Sequence, residues 1–261
     1  MVLSGSSLNT LGFRSTSDLP TLTVAIIEGI VGPGLVALLI SFLPTIYGAF
    51  SRWETAVAKL HLRATDSEGV PSPSSLLGRH HVIDSLDAMA SMWADWEDWF
   101  VEVEETHTSF PILVFFRSPV PDRSWIGSAG MALDSASLSC SVLDVPRDLR
   151  AMLMIRTGTM SLQRICDFFG FEYDSDPAPT DPISITRAEF DAVVEDFRAL
   201  GMPLAADMDQ AWADYAGWRV NYDVPLRSLA TFVEAPEIPW ATDRPIEISR
   251  PRLVRGRSAA R

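Results

Sequence analysis

Between Glu28 and Arg52 the chain runs 23 residues without a charged side chain. As a helix that run is about 34 Å long, enough to cross the hydrocarbon core of a bilayer. The wider apolar stretch, 19–47, is too long for a secretory signal, and the residues before it offer Arg14 as their one base. A buried helix of a soluble domain is the competing reading, but such helices rarely run twenty residues uncharged. The sequence therefore predicts one transmembrane helix over 19–50, with the lipid bilayer as its first partner. Arg52, Lys59 and Arg63 follow the span closely, which places the C-terminal body in the cytoplasm and the chain in the cell membrane.

Charge separates the remainder into a body and a tail. The formal charge is −13 over 261 residues. From Arg244 onward six arginines against Glu247 give +5, and residues 1–50 carry −1, which leaves −17 on residues 51–243. A body so acidic repels nucleic acid, so none is expected as a partner. Residues 244–261 read as a basic, disordered arm able to touch anionic headgroups. Cys140 and Cys166 lie in no paired motif, as expected of reduced thiols.

The segment 1–18 is small and polar and runs directly into the apolar helix. Thr10, Leu11, Gly12 and Phe13, followed by the span with Gly32, resemble the pore loop and inner helix of the two-transmembrane potassium-channel superfamily. In that family the filter carbonyls replace an ion's water, and Gly32 matches the hinge glycine. Arg14 stands where the family has a second filter glycine and brings positive charge to that position. The segment 43–54 is similar to the stretch after the last membrane helix of bacterial channel-like membrane proteins. The resemblance implies filter-like residues at 10–13, a hinge at Gly32-Pro33-Gly34, and either a homo-oligomer or upstream helices to complete a pore. It also implies that an outer helix and a pore helix are missing, with Met1 an internal start.

Beyond Ser51 the pattern is helical. Trp53, Val57, Leu60 and Ala64 share one face. Ser72 and Pro73 open a helix expected to run to about Glu105. Within it Trp93, Trp96 and Trp99 recur every three residues, either as the domain's own core or as an aromatic stripe that docks a partner. Residues 110–116 read as a short strand or buried helix. Helices are expected from about Arg123 to Leu143 and from Pro146 to Phe169. Thr186 with Glu189 makes a capping box for another. A last helix opens at Asp207 and ends before Pro225. It carries Trp212, Tyr215, Trp218, Arg219 and Tyr222, expected to pack on the membrane-proximal helices.

Catalytic patterns are sparse. His61, His80, His81 and His107 share no zinc-binding spacing, the acids of 174–182 lack the glycine and glutamate of a calcium loop, and no phosphate loop or nucleophile elbow occurs. No cofactor, metal or enzymatic activity is expected. The expected fold is all-α, one N-terminal transmembrane helix followed by a helical cytoplasmic domain. The expected function is a channel-like or channel-derived membrane protein with a cytoplasmic regulatory or assembly domain. The alternative is a single-span tether whose cytoplasmic domain binds a protein without transport.

Overall fold

The computed structural model describes residues 2–12, 16–65, 69–83, 89–146 and 148–248. It is all-α. Eight α-helices follow one another among the described residues: α1 (Val2–Leu8), α2 (Leu19–Ala64), α3 (Pro73–Val82), α4 (Met89–Ser109), α5 (Trp125–Val142), α6 (Leu149–Phe169), α7 (Arg187–Ala199) and α8 (Met208–Phe232). No strand forms there, only isolated bridges between Thr65 and Pro71 and between Leu143 and Leu204. The chain divides into two compact units, one ending at Ser51 and the other starting at Arg52.

The first unit holds α1 and most of α2. The 46-residue α2 is long and apolar enough to cross a membrane, and only 6% of its most apolar window is buried. A core helix of a water-soluble domain would hide that surface. Pro33 and Pro44 lie inside α2, and each removes one backbone hydrogen bond without ending the helix.

The second unit is a helical bundle around α5. Almost every residue of α5 is buried, which requires small side chains so that neighbours can approach from all sides. At Gly130 an added methyl would sit 2.8 Å from Ala241 Cβ and 2.9 Å from Leu226 Cδ2. Helix α8 packs along α5, α6 touches both, and α4 lies on α6. Trp53, Val57, Leu60 and Ala64, the apolar face at the end of α2, are all buried in this unit.

Several boundaries differ from the sequence reading. The helix opened by Ser72 ends at Val82, and a separate helix starts at Met89, so one expected helix is two. Residues 110–116 form neither strand nor α-helix but a 3₁₀ turn, Pro111–Phe115, pinned where Trp125 Nε1 donates to the Val114 carbonyl at 3.1 Å. Ser124 caps α5, and Asp148 caps α6, which Gly170 closes in the left-handed conformation (φ 78°). The Thr186–Glu189 capping box is present in full.

Helix α8 continues through Pro225 to Phe232 instead of breaking. Proline frees the carbonyl four residues back, Asn221, and Gln163 Nε2 of α6 donates to it at 3.3 Å. The tail also starts later than its charge implied: Arg244 donates to the Ser184 carbonyl at 2.6 Å and pairs with Glu189. The stretch from Ser249 onward lies outside the described residues.

Trp93, Trp96 and Trp99 are buried, so they serve the core and present no docking stripe. Trp96 and Trp99 rings lie 4.4 Å apart, and Trp99 Nε1 donates to the Trp53 carbonyl at 3.1 Å. Beside them His107 is fully buried, 5.8 Å from the Trp53 ring and 4.6 Å from the Trp125 ring. Burial lowers its pKa to about 4, partly opposed by a backbone hydrogen bond to Val103. Because the unfolded chain then binds a proton that the folded one refuses, stability is full above about pH 6.5 and falls as pH drops toward 4. The prediction is a loss of about 3 kcal/mol across that window, absent in His107→Phe, measured by urea unfolding at stepped pH.

Candidate functional site

Two places combine unusual geometry with chemistry: the hairpin of α1 on α2 in the first unit, and a buried ion network in the second.

In the hairpin, Ser4 Oγ donates to Glu28 Oε1 at 2.5 Å. Four residues further along both helices, Leu8 sits against Gly32 so closely that an added methyl on Gly32 would lie 1.8 Å from the Leu8 carbonyl oxygen. Equal steps in the same direction mean that α1 runs parallel to α2. A parallel pair joined in sequence needs a return arm. Leu19 lies thirteen residues, about 20 Å, from Gly32 along α2, and the ten residues from Asn9 to Asp18 can span about 33 Å. Helices α1 and α2 therefore lie side by side and run in the same direction.

The end of α1 is closed by backbone bonds from Thr10 N to Ser7 O (3.1 Å) and from Leu11 N to Ser6 O (2.9 Å). This closure puts Thr10 at φ 53°, a conformation that glycine adopts freely and a β-branched residue rarely does. Gly12, at φ 67°, bears no such cost. A cleft of about 560 Å³ opens below, lined among others by Asn9, Thr10, Gly32, Pro33 and Ile40.

The structure thus brings filter-like Thr10 together with hinge-like Gly32 and Pro33. Leu11 is exposed, Gly34 has nothing within 4 Å of an added methyl, and Phe13 and Arg14 lie outside the described residues. Within the segment 1–18, read from sequence only as small and polar, Val2–Leu8 is helical. Its serines and glycine gave no apolar period to read.

The ion network centres on Arg219 of α8, which is fully buried. Its NH1 donates to both carboxylate oxygens of Asp134 at 2.7 and 2.6 Å, its Nε to Asp223 Oδ1 at 2.8 Å, and its NH2 to the Trp240 carbonyl at 2.9 Å. Tyr215 and Tyr222 hydroxyls donate to the same Asp134 oxygen at 3.2 and 2.8 Å. Burial works against the Arg219 charge, but Asp134 and Asp223 more than offset it and hold it protonated. Burial also pushes up both tyrosines, so their hydroxyls stay protonated donors.

Arg219, Asp134, Tyr215, Tyr222 and Asp223 are all buried, and each Arg219 nitrogen has a protein acceptor. The network is a structural clasp. Tyr215, Arg219 and Tyr222, expected against the membrane-proximal helices, face α5 instead. The sequence signal was present: Asp134 is the one charge in an otherwise small and apolar helix, and Arg219, Asp223 and Arg227 recur every four residues. Among the described residues no group of three or more His, Cys, Asp or Glu side chains is placed to hold a metal.

No protein-family model, curated protein or solved structure matches this chain.

Two predictions follow from these contacts. Arg219→Met leaves Asp134 buried without its partner and should cost about 3–5 kcal/mol in denaturant unfolding. Gly32→Leu should displace α1, abolishing the disulfide expected between cysteines placed at Ser4 and Glu28, whereas Gly34→Ala should leave that cross-link intact.

Proposed function

We propose that the chain is a subunit of an oligomeric, channel-like protein of the cell membrane. In this reading α1 and residues 9–12 form a re-entrant pore loop, α2 is the inner helix, and the C-terminal unit is a cytoplasmic domain for regulation or assembly. The observation that carries it is the parallel packing of α1 on α2 at Gly32, followed by non-helical backbone at Thr10 and Gly12.

Irregular backbone at membrane depth is tolerated where other protein covers it or where it lines a water-filled cavity. One copy of this hairpin leaves that backbone facing lipid. Assembly around a central axis supplies both the cover and the cavity. The parallel direction of α1 also aims its carbonyl end, the negative end of its dipole, toward the middle of the span, which favours a cation there.

Coupling would run along α2, continuous from the span into Arg52 and the buried face at Trp53 and Val57, to a bend at Gly32-Pro33-Gly34. Arg52, Lys59 and Arg63 beyond the span support the cytoplasmic placement of the C-terminal unit. The reading assigns no ion, since Arg14 departs from the potassium filter pattern.

The test is reconstitution of purified oligomers in planar bilayers. Discrete currents are expected, with conductance changed by Gly12→Val. Folded oligomers that pass no current overturn conduction and leave the membrane-tethered interaction protein as the reading.

A further inference from the structure

The surface of the second unit carries an apolar trough that its own core leaves uncovered. Two adjoining clefts, of about 700 and 330 Å³, share Met152 of α6 and Trp218 of α8. Along α6 the trough is edged by Leu149, Leu153 and Met160, which are 66, 43 and 39% exposed although large and apolar. Their spacing places them on one face of the helix, as anchors for something laid beside it.

A polar observation points the same way. Thr159 lines the larger cleft, is 9% exposed, and its hydroxyl has no hydrogen-bond partner. Buried hydroxyls are ordinarily satisfied, so this one is set to meet a group that arrives from outside. On the α8 side, Gly217 has one neighbour within 4 Å of an added methyl, Pro179 Cβ at 3.6 Å, so a backbone can approach closely.

Charge selects the occupant. The loop along the trough carries Glu172, Asp174, Asp176 and Asp181 without a base, and Asp176 and Asp214 line the clefts themselves. Arg156 is the one cation among the cleft-lining residues. The body around them holds a formal −17. An apolar floor inside an acidic rim repels acidic peptides and anionic headgroups and attracts cations.

We propose that the α6–α8 trough is a docking site for a basic amphipathic helix of a partner protein. Its apolar face seats on Leu153, Met160 and Trp218, and its lysines or arginines meet the rim at Asp176 and Asp214. This goes beyond the pore reading and does not depend on it, since docking requires no current. It also moves the partner-binding surface from the buried Trp93, Trp96 and Trp99 to a face with exposed anchors.

The test uses the full chain, with methionine methyls labelled for NMR, in nanodiscs of zwitterionic lipid. The probe is a synthetic helical peptide of about 16 residues with leucine on one face and lysine on the other. Its counterpart carries glutamate in place of lysine, and empty nanodiscs measure partition into lipid. Expected are shifts of the Met152 and Met160 methyls with the lysine peptide alone, weakening as salt rises. Affinity should fall roughly tenfold or more in Leu153→Lys/Met160→Lys and in Asp176→Lys/Asp214→Lys, but not in the control Asp95→Lys/Asp98→Lys. All these positions are exposed or at a cleft edge, and methyl spectra of each variant without peptide report folding. Equal binding of the glutamate peptide, or affinity unchanged by the trough variants, overturns the proposal. So do shifts of Met152 and Met160 with protein concentration alone, which would make a second copy the occupant.

Discussion

The Arg219–Asp134 pair is the contact on which the C-terminal unit closes. A guanidinium and a carboxylate, both without solvent exposure, are tolerable only with nearly every donor and acceptor satisfied. Satisfying them recruits Tyr215, Tyr222 and Asp223 from α8, the Trp240 carbonyl from the C-terminal segment, and through Asp223 the hydroxyl of Ser184 ahead of α7. Arg227 and Arg244 extend the same web, because Arg227 Nε donates to the Arg244 carbonyl and Arg244 pairs with Glu189 in the α7 capping box. Apolar packing alone would let α8 slide along the small-residue surface of α5. A guanidinium whose three nitrogens each have a fixed acceptor, NH1 on both Asp134 oxygens, sets one register.

The first unit is held together by different contacts. Its surface is apolar and uncovered, and its internal order rests on close backbone approach at Gly32 with one hydrogen bond between Ser4 and Glu28. Small residues and such polar contacts are the means by which helices associate where lipid supplies no hydrophobic drive between them. Glu28, at the start of the charge-free run, has its partner in Ser4 of α1.

Much of the fold was legible because its signals are local. The charge-free run defines α2, the Ser72–Pro73 start and the Thr186–Glu189 box lie at their helix ends, and Gly170 closes α6 where the chain must turn. Misread elements were those where distant partners override a local rule. Pro225 stays in helix because Gln163 serves the carbonyl it frees, and Arg244 leaves the basic tail because Ser184 and Glu189 hold it. The aromatic triplet Trp93, Trp96 and Trp99 had a helical period compatible with core or docking face, and only the position of Trp53 across from it decides for core. At the candidate site, Thr10, Gly32 and Pro33 were named individually, but their meeting in one cleft depends on the direction of α1, which no periodicity encodes.

By itself the sequence determined that this chain is helical, that one helix is long and apolar enough to span a membrane, and that an acidic body follows it, because hydropathy, capping and charge act over a few neighbouring residues. The tertiary structure alone decided that α1 runs parallel to α2, that Asp134 and Arg219 meet, and that Trp218 lines an open trough while Trp96 is sealed. Those outcomes depend on which helix faces get covered, and covering is a property of residues far apart in the chain.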